Sequence, residues 1–168
     1  VLGHSNTPTA LANLNPAQVL RTDIALTQPP ENLTGRTTFY FRRHFNFPGS
    51  VIGAVLKLKQ IVDDGDVVYL NGHEVLRVGV SPTAHIVDTT TATRSVGGYA
   101  YEGPYNLPTT YLLPGDNVLA VEVHQINSTS NDFLMGIQLE ATYQIQGFDV
   151  ALNEVCADNR TGLTNAGK

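Results

Sequence analysis

The chain has no tryptophan, one cysteine and one methionine, and only 15% of its 168 residues are charged. Each shortage excludes something. A single thiol, Cys156, can close no internal disulfide and build no multi-cysteine metal cluster. So little charge argues against a disordered chain and against a helix laced with ion pairs. The net charge of −5 offers no electrostatic footprint for a phosphate backbone, so nucleic acid is not an expected partner. No apolar run approaches the roughly 20 residues of a membrane helix, so no membrane insertion is expected. Catalytic signatures are missing too: there is no Gly-x-Ser-x-Gly, His-Glu-x-x-His, phosphate loop or dinucleotide fingerprint. Val1 opens without a basic stretch and apolar core of the secretory type, as expected of a domain taken from within a longer protein.

What the chain does have is alternation with period two, and almost no helical periodicity. Over residues 37–47, Phe39, Phe41, Phe45 and Phe47 point one way and Thr38, Tyr40, Arg42, His44 and Asn46 the other. Arg43 falls on the phenylalanine side, where it is expected to snorkel outward or meet an acid such as Asp64 or Glu122. Residues 52–62 repeat the pattern, with Ile52, Ala54, Leu56, Leu58 and Val62 inward. Residues 67–70 and 74–80 flank Asn71-Gly72, a pair suited to a type I′ hairpin because both central positions need positive φ. Residues 118–125 set Leu119, Val121 and Val123 against Ala120, Glu122 and His124. Residues 133–143 place Phe133, Met135, Ile137, Leu139, Ala141 and Tyr143 on one face. Several strands, each with one wet face, predict antiparallel sheets packed as a sandwich. The expected core is Phe39, Phe41, Phe45, Leu56, Leu58, Leu119, Val121, Val123, Ile137 and Leu139.

Two regions break the alternation. Residues 1–35 carry scattered Asn, Thr and Pro around a short strand expected near residues 19–26. Residues 81–111 read as one long connection. Candidate chemistry is thin. Asp63 and Asp64 with Glu122 or Glu140 would form a carboxylate pair, but Asp63-Asp64-Gly65 reads first as turn geometry, so no catalytic residues are expected. His44, His124 and Glu122 would suit zinc only if neighbouring strands brought them together, and a hydrogen-bonded polar face is the expected outcome.

The stretch Tyr40-Phe41-Arg42-Arg43-His44-Phe45, then Asp63 to Gly72 with its Val-Tyr-Leu-Asn-Gly, then Leu113-Pro114-Gly115-Asp116-Asn117-Val118-Leu119-Ala120-Val121, resembles a domain of large bacterial secreted proteins. It is more distantly similar to the galactose-binding-like jelly rolls of β-galactosidases. The resemblance spans residues 36–143. It implies an all-β fold, a two-layer antiparallel β-sandwich of the jelly-roll type, in a secreted, extracellular protein. Residues 150–159 resemble the opening of a lamin-tail-like domain, which would make residues 1–146 the jelly roll and 147–168 the stub of a neighbouring domain. Related jelly rolls hold a structural calcium, implied here at Asp23 and Asp132, with no other cofactor required.

The resemblance implies a non-catalytic carbohydrate-binding module that tethers its protein to polysaccharide; the alternative is a structural or adhesive spacer without a small ligand. A sugar site needs flat aromatic faces and planar hydrogen bonders. Without tryptophan, the expected site is Tyr99, Tyr101 and Tyr105 of the long connection with Asn127, Asn131 and Asp132 of the polar loop. The second choice is the wet strand face carrying Tyr40, Arg42, His44, Glu122 and His124.

Overall fold

The computed structural model describes residues 2–4, 22–23, 35–97, 100–130 and 132–144. Among these residues there are nine strands and no helix: β1 (Leu2–His4), β2 (Thr22–Asp23), β3 (Thr38–Phe47), β4 (Val55–Asp63), β5 (Gly65–Leu70), β6 (His73–Val78), β7 (Glu102–Leu107), β8 (Gly115–His124) and β9 (Phe133–Thr142). One sheet has the order β2-β1-β9-β4-β7 and the other β3-β8-β5-β6. All ladders are antiparallel except the short β1–β2 pair. The pairs β1·β9, β3·β8, β4·β7 and β5·β6 are nested in sequence and alternate between the sheets. An antiparallel ribbon folded over on itself in this way is a jelly roll, and the expected sandwich is the observed fold.

Alternation explains the core. Leu56 and Leu58 of β4 are buried while Val55 and Lys57, which alternate with them, are exposed. Phe133 is fully buried and stacks on Phe39 of the opposite sheet, with centroids 4.1 Å apart and planes 9° from parallel. Each such side chain contributes about 1.5–3 kcal/mol by leaving water. All ten expected core residues belong to the apolar cluster or pack against it, but Phe41, Phe45, Leu119, Ile137 and Leu139 are only partly buried. The β5–β6 hairpin turns through Asn71 (φ 51°) and Gly72 (φ 84°), the positive pair that the type I′ turn demands. Asn71 also ties the hairpin to the start of β8. Its Nδ2 donates to Tyr111 O (2.7 Å) and Asn117 Oδ1 (2.8 Å), and its Oδ1 accepts from Val118 N (2.8 Å).

Two expectations need correction. Ile52 is 82% exposed, because it sits in a turn before β4 begins and never enters the sheet's alternation. Residues 81–111 are not one connection, since they contain β7. That strand is the sheet's edge, and its ladder with β4 shifts register between Leu58 and Gln60, which accommodates Gly103-Pro104 where an inner strand would not. The Asp63-Asp64-Gly65 turn does precede the β5–β6 hairpin, and it carries the chain from one sheet to the other, with Asp63 and Asp64 each 2% exposed. Strand β2 falls inside the expected residues 19–26, whereas β1 is too short to leave an alternation signal. The expected boundary at residue 147, and Cys156 with it, lie outside the described residues.

Candidate functional site

At one end of the sandwich three connections converge: the Asp63-Asp64-Gly65 corner, residues 79–97, and residues 125–130. Asp64 binds them together. Its carboxylate accepts from Val96 N (2.8 Å) and Ile126 N (2.7 Å), and its carbonyl accepts from Arg94 Nε (2.9 Å). Arg94 makes a two-pronged pair with Glu102 (2.6 and 3.1 Å), and Tyr105 OH donates to the same carboxylate at 3.2 Å. Burial, with the hydrogen bond and charge of Asp64, pushes the Asp63 carboxyl up to about 9. These acids are enclosed, so their chemistry is that of a junction.

Of the six residues expected to bind sugar here, Tyr99 and Asn131 lie outside the described residues. Tyr101 is 41% exposed. Tyr105 is a β7 residue packed against the core rather than part of a loop. Asn127 Oδ1 accepts from Thr129 N (2.9 Å) and Thr129 Oγ1 (2.7 Å), an Asx turn that occupies its oxygen. Asp132 is half-buried, its carbonyl accepts from Gln125 Nε2 (2.8 Å), and its charge bears on Asp63. Among the described residues no three His, Cys, Asp or Glu side chains converge as a metal site. The side chain of Asp23, the other implied calcium ligand, lies outside them.

The zinc-like grouping does not form. His44 stands opposite Val118, six residues along β8 from His124, which is about 20 Å at roughly 3.4 Å per residue. His44 pairs instead with Asp116, Nδ1 to Oδ2 at 2.9 Å. His124 is fully buried, with Nδ1 2.9 Å from Thr90 O and 3.1 Å from Thr38 Oγ1. The connection that supplies Thr90 also accepts from Thr37 and Thr38 hydroxyls at Asp88 O, so it lies over this corner of the sheet. His124 therefore keeps the face on which the alternation placed it, with Nε2 3.5 Å from Glu122 Oε2, but lies covered there.

The remainder of that face forms a compact group. Across the outer side of β3-β8-β5-β6, one row reads Tyr40, Glu122, Val67, Arg77 and the next Arg42, Ala120, Tyr69, Glu74. Tyr40 is 61% exposed. Tyr69 lies near Glu122; burial first, then the charges of Glu122 and Glu74, push its phenol up to about 12, so it stays protonated as a donor. Arg77 grips Glu74 through two bonds of 2.7 and 2.8 Å and donates to Ser81 O (2.6 Å) and Ala84 O (3.1 Å). The structure thus keeps Tyr40, Arg42 and Glu122 together and adds Tyr69, Glu74 and Arg77, which sequence reasoning missed. The Asn71-Gly72 hairpin was the available signal, since it pairs Tyr69 with Glu74.

Compared with protein-family models and with curated proteins, the chain matches none of them.

Proposed function

We propose that this domain is a non-catalytic carbohydrate-binding module of a secreted multidomain protein, with the outer face of the β3-β8-β5-β6 sheet as its polysaccharide platform. The observation that carries the reading is the exposed ring of Tyr40 beside Glu122, Tyr69 and Arg42. A pyranose has an apolar C–H face and an equator of hydroxyls. An open phenol ring takes the first, and a carboxylate and a guanidinium on the same face take the second. An open face with one stacking ring and a few hydrogen bonds should bind with micromolar to millimolar affinity, on the order of 4 to 8 kcal/mol. No cofactor enters this reading. Calcium at Asp23 and Asp132 is a separate proposal, supported if calcium raises the melting temperature and a chelator lowers it.

Affinity electrophoresis through gels cast with plant and microbial polysaccharides tests the platform. Retardation of the wild type by at least one polysaccharide, lost in Tyr40→Ala and kept in Tyr101→Ala, is the expected result. The reverse pattern would place the site at the loop end, where Tyr101 is the exposed ring. A wild type retarded by no polysaccharide would leave the spacer reading in its place.

A further inference from the structure

One side of the sandwich stands ajar. Strand β3 is the edge of its sheet, and beyond Met135 strand β9 has no described neighbour on the side away from β4. Between these edges runs a cleft of about 570 Å³, lined by Phe41, Phe45, Leu119, Ile137 and Leu139 among others. These apolar side chains remain partly open to solvent although they face the interior. Large apolar side chains left in that condition mark a surface built to be covered.

Arg43 decides what covers it. The inner row of β3 reads Phe39, Phe41, Arg43, Phe45, Phe47, and the cation stands opposite Leu119 in the middle of it. A fifth apolar side chain there would let the two layers meet. Arg43 instead lines the cleft, is exposed, and has no ion pair or hydrogen bond among the described residues. An unpaired guanidinium beside an apolar cleft, in a chain of net charge −5, calls for a ligand that is anionic at one end and apolar along its length.

We propose that this cleft binds a free fatty acid, the alkyl chain between the sheets and the carboxylate on Arg43. The volume lies within the roughly 300–1,000 Å³ of small-molecule sites, which admits one alkyl chain and no bilayer surface. A guanidinium offers a carboxylate two parallel N–H donors, a geometry that an alcohol or ammonium headgroup cannot match.

The test is calorimetric titration of the whole chain with sodium dodecanoate below its micelle concentration, beside dodecyltrimethylammonium chloride, which has the same tail and the opposite charge. Dodecanoate should saturate at one per chain with micromolar affinity, and the ammonium should bind at least tenfold more weakly. Arg43→Met should weaken dodecanoate at least tenfold and Arg43→Lys less. Leu139→Trp, which narrows the cleft and spares Arg43, should weaken it as well and serves should Arg43→Met fail to fold. No saturation, equal affinity for the two headgroups, or dodecanoate binding unchanged in both Arg43→Met and Leu139→Trp would each overturn the proposal. So would a dimer in light scattering that Leu139→Trp dissolves, because the occupant would then be a second copy of the chain.

Discussion

Replacing Asp66 by Asn should flatten the pH dependence of stability near neutrality. Asp66 lies on the inner side of β5 with no exposed surface; its Oδ1 accepts from Gln60 Nε2 at 2.9 Å and its Oδ2 has no partner. Burial pushes the carboxyl from 3.8 up to about 7, against the opposing hydrogen bond from Gln60. Between those two values the folded state holds a proton that the unfolded chain has released. Its contribution to stability is therefore complete below about pH 4 and is lost as pH rises through about 7. Each pH unit in that window costs about 1.4 kcal/mol, so Asp66 alone removes roughly 2 kcal/mol between pH 5 and pH 7. Asparagine keeps an acceptor for Gln60 and does not ionise, so Asp66→Asn should gain about 2 kcal/mol on the wild type over that interval. Asp63, raised to about 9, adds the same slope to both proteins and drops out of the difference. Urea unfolding at pH 5, 6 and 7, followed by tyrosine fluorescence and far-ultraviolet circular dichroism, measures it. Parallel pH profiles for the two proteins would refute the reasoning.

Phe133→Ala removes a fully buried ring that stacks between the sheets, and should destabilise by about 3–5 kcal/mol, read from the urea midpoint at unchanged slope. Asn71→Ala loses three hydrogen bonds and strains a residue at φ 51°; a loss of about 2–3 kcal/mol by the same measurement is expected. Arg94→Met frees the Asp64 carbonyl and leaves Glu102 without its cation. Limited proteolysis should then cut within residues 79–101 faster than in the wild type, and an unchanged cleavage pattern would count against the junction.

Much of the fold was legible because β3, β4, β8 and β9 each pack one face and wet the other, and the chemistry of that division is written every second residue. The hairpin was legible for a local reason as well, since Asn71 and Gly72 tolerate positive φ. Strand β7 was hidden because Gly103-Pro104 spells a turn, and only its place at a sheet edge makes that spelling compatible with a strand. The buried acids were hidden for a similar reason. Asp63-Asp64-Gly65 looks like solvated turn chemistry until the corner is seen to pass between two layers, with Arg94 and backbone N–H groups closing over it.

The candidate platform divides the same way. Alternation put Tyr40, Arg42 and Glu122 on wet faces, but their meeting with Tyr69, Glu74 and Arg77 depends on β3, β8, β5 and β6 lying side by side, and that order is set by nested pairing over long sequence separations. His124 shows the limit most plainly, since its parity marks it as exposed and a connection some thirty residues upstream covers it. By itself the sequence determined which residues lie on the two faces of each strand, because that choice needs only the pleat and the transfer of apolar side chains from water. The tertiary structure alone decided which faces adjoin, which polar groups are sealed beneath a loop, and where a cleft lined by Arg43 stays open between the layers. Those outcomes depend on contacts between residues far apart in the chain, for which no local pattern carries a signal.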